Sequence, residues 1–292
     1  MGTSSPCLKS WTNRNFICSK GKRHTIDAFG NSITSATLPG DHWRSRHDTV
    51  KNTIFHLATW ATVQISCEVL YIFSPYISAY TTLQSDKLKQ VQGVVPDFFF
   101  NRTCTLGDVK TITCCQGHYP NARFRHGIRN DAVRIRQNKV TAEYRGKANK
   151  ADRQYNNHQE SGTGPVATKL ASFGKVKGLV CGAFGEGSPD MHKLIANIVE
   201  TAAIKRYQDM GARTSKDAIA RANRFAYKTL GVEMMRSTSL LRVGRLGIVL
   251  AKPENQKATA RRRSHSAPAW FETRQEYFDK HSFSTSSHER AW

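Results

Sequence analysis

Val94–Ile112 reads VVPDFFFNRTCTLGDVKTI, two short β-favouring runs around Arg102-Thr103. Apolar and β-branched residues bounded by polar turn formers predict a hairpin. Side chains alternate along a strand, so Asp108 and Lys110 share one face while Val109 and Thr111 point the other way. A turn centred on Arg102-Thr103 pairs residues whose numbers sum to 205, which sets Asp97 opposite Asp108. Cross-strand neighbours have Cβ atoms roughly 4.5–5.5 Å apart, and two carboxylates at that separation repel. A divalent cation removes the repulsion, and carboxylate oxygens are ligands that Mg²⁺ accepts. Lys110 reaches the same space. Such a set suits phosphodiester hydrolysis: the metal activates a bound water, and the ammonium offsets the charge of the transition state. Pro96 lacks an N–H and belongs at a strand start or bulge, where it can re-aim Asp97.

Outside the hairpin, the elements alternate in type. Val50, Ile54, Leu57, Ala58 and Ala61 recur at helical spacing over Asp48–Val63, with Asp48 as the expected cap. Gln64–Phe73 is β-rich. From Asp131 to about Tyr155 a long helix is expected, with Val133, Val140, Tyr144, Ala148, Ala151 and Tyr155 on its apolar side. Val176–Phe184 reads as a buried strand. Ser188-Pro189-Asp190 is a helix start, which accounts for the second Pro-Asp of the chain. Further helices are expected over Ser215–Leu230 and near Ser237–Leu246. The order gives an α/β fold with a mixed central sheet flanked by helices and extra C-terminal helices. Three regions follow: a poorly ordered or degenerate segment over 1–45, one domain over 46–250, and a disordered basic tail over 251–292.

The 292 residues carry 44 Lys and Arg against 22 Asp and Glu, a formal charge of +22. That excess points to a polyanionic partner, nucleic acid. Arg134, Arg136, Arg145, Lys147 and Arg153 on the long helix are the expected DNA contacts, with Tyr144 assigned to packing. Arg261–Arg263 would favour a nuclear location. Seven cysteines, an odd count, form no C-x-x-C pair, which fits free thiols in the nucleus or cytoplasm. MGTSSPCLKSW has no apolar core of a secretory signal, so secretion is not expected. The apolar stretch Thr53–Tyr80 is interrupted by His56, Gln64, Glu68 and Pro75, so no membrane span is expected. GAFGEG, Gly182–Gly187, lies between strand and helix as a phosphate-binding turn would, yet it departs from G-x-G-x-x-G and reads better as tight packing.

Pro96-Asp97 with Asp108-Val109-Lys110 resembles the signature of the PD-(D/E)xK nuclease superfamily. More narrowly, residues 42 to about 250 resemble the restriction-like endonuclease regions of some non-LTR retrotransposons and related protist and algal proteins. HWRSRHD (His42–Asp48), GDVKTI, EYRGKANKADRQY (Glu143–Tyr155) and VCGAFGEGS (Val180–Ser188) carry that likeness. The resemblance implies a restriction-endonuclease-like core and an endonuclease derived from a mobile element. It also implies Mg²⁺ or Mn²⁺ held by Asp97 and Asp108, Lys110 as catalytic lysine, and Glu68 as a further acidic ligand. DNA is the implied partner, with a homodimer left open. Where a zinc knuckle would stand, Cys18 is followed by Lys20, Ser32 and Ala36, so no structural zinc is expected. Two alternatives follow from the same residues: a protein of this fold that binds nucleic acid without cutting, and a Rossmann-like nucleotide-binding domain using GAFGEG.

Overall fold

The computed structural model describes residues 10–77, 93–115, 118–119 and 126–251. The tail, Arg261–Arg263 included, lies outside them. The chain divides into two compact units, one of residues 50–59 and 63–194, the other of 1–49, 60–62 and 195–292. That partition differs from a single 46–250 domain, because helices that begin in one unit end in the other.

The 50–194 unit is built on a four-stranded sheet of order β3-β4-β5-β6 (β3 Ile65–Cys67, β4 Phe98–Phe100, β5 Thr105–Thr111, β6 Lys177–Cys181). The first three strands are antiparallel, and β6 joins β5 in parallel. The sheet is thus mixed, with helices beside it. Phe98 pairs with Gly107 and Phe100 with Thr105, the sum of 205 that the spacing predicts. The turn between them closes through Cys104, whose φ is +47°. The β-rich stretch after Gln64 makes only a three-residue strand; Leu70–Ile72 and Ser74–Tyr76 are 3₁₀ turns, the second with Pro75 in it.

Helix α3 (His126–Tyr155) packs on the face of the sheet that carries Leu106. It starts five residues before Asp131. Val133, Val140, Tyr144, Ala148 and Ala151 are its buried stripe, as the spacing predicts. Val69, Phe73, Val140, Leu170 and Val176 lie in the same apolar cluster. The close approach of α3 to β6 needs Gly178: a Cβ there would sit 3.0 Å from the Cα and 3.1 Å from the carbonyl oxygen of Gln137. Gln137 and Tyr144 are two turns apart on one face, so this approach also lowers Tyr144 onto the sheet. Helix α4 (Pro165–Ser172) packs against α3. Its first N–H groups, at Val166 and Ala167, donate to the two oxygens of buried Asp152 at 2.9 and 2.8 Å. Gly164 leaves room for that carboxylate, since a Cβ there would meet it at 2.3 Å.

Helix α5 (Pro189–Arg206) opens at Ser188, as read from the sequence. The fully buried Ser188 hydroxyl donates to the Gly178 carbonyl at 2.6 Å and accepts from the N–H groups of Val180 and Met191. Helix α2 (His42–Trp60) begins six residues before Asp48, so Asp48 is not its cap. Its Val50, Ile54, Leu57 and Ala58 are fully buried.

In the other unit, residues expected to be poorly ordered form a hairpin, β1 (Asn15–Ile17) with β2 (Arg23–Thr25), followed by the short helix α1 (Asn31–Ser35). Strands of three residues show no periodicity, which hid them in the sequence. Phe16, Cys18, Ile26, Ile33, Ala36 and Leu38 make their own cluster, with Leu246 and Val249 packed against it. Those two belong to α6, one continuous helix of 36 residues (Ser215–Leu250) where two were expected. Ala218, Ala222, Ala226, Leu230, Met234, Ser237 and Leu241 run through the expected break as an unbroken buried stripe. Burial of that stripe outweighs the roughly 1 kcal/mol that Gly231 costs a helix interior. Arg245, also buried, donates to the carbonyls of Ile33, Thr34 and Ala36 at 3.3, 2.8 and 2.9 Å. It places a cation on the carbonyl end of α1, where the helix dipole favours one.

Candidate active site

Asp97 stands one residue before β4, and its carbonyl accepts from the Glu68 N–H at 3.0 Å, extending the β3-β4 ladder by one rung. The next rung of β4 with β5 is different. There the Asp97 carboxylate accepts from the Val109 N–H at 2.7 Å. A side chain thus replaces a backbone carbonyl at the end of the strand and is held against β5. Asp108 faces α3. Its Oδ1 accepts from the Tyr144 hydroxyl at 2.6 Å, and its Oδ2 pairs with the Lys110 ammonium. Asp97, Asp108 and Lys110, the three residues singled out by spacing, therefore meet at one end of the β4-β5 ladder.

Asp108 and Tyr144 are each 2% exposed, Asp97 9%. Burial lifts the Asp108 carboxyl above its ordinary range, the charge of Asp97 adds to the lift, and Lys110 and Tyr144 oppose it. Burial also raises the Tyr144 phenol, with the charge of Asp108 and the hydrogen bond to it acting the same way. Tyr144 stays a donor. Lys147 lies one turn further along α3, its ammonium 4.1 Å from the centre of the Tyr144 ring, and the Lys110 ammonium lies 6.0 Å from the same centre. Burial lowers the Lys147 ammonium from its usual value, while the charge of Asp108 pulls the other way. Two cations thus flank the phenol that holds a buried carboxylate.

Glu68 sits next to Asp97 along the row of strands, yet it does not join the pair. Its φ of +45° turns it out at the end of β3, where it forms an ion pair with Lys51 of α2. Among the described residues, no three His, Cys, Asp or Glu side chains gather as a metal site. The donor chemistry nevertheless fits a hard divalent cation. Mg²⁺ commonly takes one or two protein carboxylates and completes its shell with water and substrate phosphate. Asp97 and Asp108 supply two carboxylates at one end of the ladder, and the charge of Asp97 adds to the upward shift that burial gives Asp108.

Of the expected DNA contacts, Arg134 pairs with Asp131 at 2.8 Å, and Arg136 makes a two-pronged pair with Glu143 at 2.7 and 2.9 Å. Arg145, Lys147 and Arg153 are exposed. The GAFGEG turn is filled from within. Glu186 accepts from the Phe184 N–H and the Tyr119 hydroxyl, Tyr119 accepts from the Ala183 N–H, and the Gly182 N–H donates to the Glu186 carbonyl. The amides of Gly182, Ala183 and Phe184 are thus spent within the protein. Among the described residues, no helix is long and apolar enough to cross a membrane.

Sequence reasoning missed two residues. Tyr144 was assigned to packing, since a tyrosine at helical spacing on an apolar stripe gives no sign of its hydroxyl partner. Asp152 has a visible signal: it is the one acid within the apolar stripe of α3. No family model, no curated protein and no solved structure matches this chain.

Proposed function

We propose that this protein is a metal-dependent endonuclease of restriction-endonuclease-like fold that hydrolyses phosphodiester bonds in DNA. The observation that carries the reading is the meeting of Asp97, Asp108 and Lys110 at one end of the β4-β5 ladder in a chain of charge +22. Asp97 and Asp108 would hold Mg²⁺ or Mn²⁺, which supplies an activated water and Lewis acidity toward the phosphate. Tyr144 fixes one oxygen of Asp108, so the carboxylate keeps its orientation when substrate arrives. Lys110 leaves its ion pair with Asp108 to place its ammonium on the negative charge that builds on the phosphate oxygens. The Val109 N–H holds Asp97 in place.

A second reading rests on a specific observation. Both oxygens of Asp108 are already engaged, by Tyr144 and Lys110, and such a neutralised site suits a protein that binds nucleic acid without cutting it. Supercoiled plasmid separates the two. With Mg²⁺ the full chain should nick it. Asp97→Asn, Asp108→Asn and Lys110→Met should each abolish nicking, whereas Glu68→Gln, whose partner is Lys51, should leave it near wild type. DNA binding without Mg²⁺-dependent nicking would establish the second reading instead.

A further inference from the structure

The outer face of α3 carries a set of cations that the proposed site does not absorb. The helix holds eight Lys and Arg and three acids. Each acid is committed: Asp131 to Arg134, Glu143 to Arg136, and Asp152 inward to the start of α4. Among the described residues, no carboxylate pairs with Lys139, Arg145, Lys147, Lys150 or Arg153, and all five are exposed. At 100° per residue, Lys139, Gly146, Lys150 and Arg153 fall within about 60° of one another and form a single ridge. From Lys139 to Lys150 the ridge runs roughly 16 Å.

Gly146 lies in the middle of that ridge. A Cβ added there would meet nothing within 4 Å, so no packing inside the protein requires glycine. A helix-interior glycine is less favourable than alanine. An uncompensated glycine between unpaired cations fits a position where another backbone comes close. Lys147 connects the ridge to the carboxylates, because its ammonium lies over the Tyr144 ring and Tyr144 is bonded to Asp108.

We infer that the Lys139–Arg153 ridge of α3 is a seat for a nucleic-acid phosphate backbone, that Gly146 is its point of closest approach, and that Lys147 leads the bound strand to Asp108. The inference deepens the nucleic-acid part of the proposed function but does not need cleavage. It also moves the expected contacts: Arg134 and Arg136, being paired, drop out, and Lys139 and Lys150 enter.

The test is fluorescence anisotropy of the full chain with a mixed-sequence DNA duplex, in EDTA and across a salt series. A variant with Lys139, Lys150 and Arg153 all changed to Gln should bind about tenfold more weakly or worse. Its log–log salt slope should be shallower by about 2.7, at roughly 0.9 per lost phosphate contact. Gly146→Leu should also weaken binding, while its melting temperature stays level or rises, since leucine is the better helix former. A loss of affinity therefore cannot be blamed on unfolding. Wild-type affinity and slope in the triple variant would overturn the seat, and wild-type binding by Gly146→Leu would overturn the close approach. The inference also fails if the triple variant loses binding to vesicles containing phosphatidylserine but keeps its hold on DNA. Because EDTA removes any metal-dependent turnover, a protein that binds through the ridge but never nicks plasmid would refute the nuclease and leave the ridge standing.

Discussion

Tyr144→Phe removes one oxygen atom and leaves the ring that packs against the sheet. The lost hydroxyl donates to Asp108 at 2.6 Å, and both residues are 2% exposed, so water does not take its place. A hydrogen bond to a charged group contributes about 1.5–3 kcal/mol, and this short, buried one belongs in the upper half of that range. Losing that bond moves the Asp108 carboxyl further upward, since the hydroxyl supports its ionised form. In the fold the Asp108 carboxyl is already raised above its ordinary 3.8, so the native state binds that proton more tightly than the unfolded chain. Its contribution to stability is complete below about 3.8 and is lost as pH rises through the folded value. The variant extends that loss to higher pH. The deficit of the variant in urea unfolding should therefore be smaller near pH 4 than at neutral pH. By about pH 7.5 wild type and variant should differ by about 2–3 kcal/mol. An equal deficit at both pH values would show that the hydroxyl contributes independently of the charge on Asp108. No deficit at neutral pH would show that the hydroxyl does not support an ionised Asp108.

Two further substitutions probe how the site is positioned. Gly178→Ala puts a methyl group against the backbone of Gln137, so α3 must shift, and overpacking of this kind costs about 1–3 kcal/mol. An unchanged melting temperature would mean that α3 does not rest on β6 at this point. Asp152→Ala strips the start of α4 of the carboxylate that caps two N–H groups, a loss of about 1–2 kcal/mol. Hydrogen exchange should show the amides of Val166–Ser172 protected about tenfold less, and wild-type exchange there would rule out the cap.

The hairpin was legible because everything that sets its register is local. A turn of fixed length and two runs of period two place Asp97 and Asp108 together without reference to the rest of the chain. The apolar stripe of α3 was legible for the same reason. Residues whose partners lie far along the chain were not. Tyr144 meets Asp108 across 36 positions, and the sequence shows the ring but not the acceptor. Glu68 was a ligand only as the family resemblance implies, and its own positive φ turns it toward Lys51. The two C-terminal helices expected proved to be one, because the cost of Gly231 is local whereas the stripe that outweighs it spans the whole of α6.

Arg245 reaches carbonyls 209 to 212 positions earlier in the chain. On the ribosome, the hairpin and α1 are made before the sheet, yet the helix that closes their core emerges about two hundred residues after them. By contrast, every strand of the central sheet has been made by Cys181. Residues made before the sheet thus belong to a part completed after it, with Phe16, Ile26 and Ile33 waiting for Leu246 and Val249. A nascent chain stalled after β6 would therefore carry a finished sheet and an N-terminal segment open to proteases and chaperones.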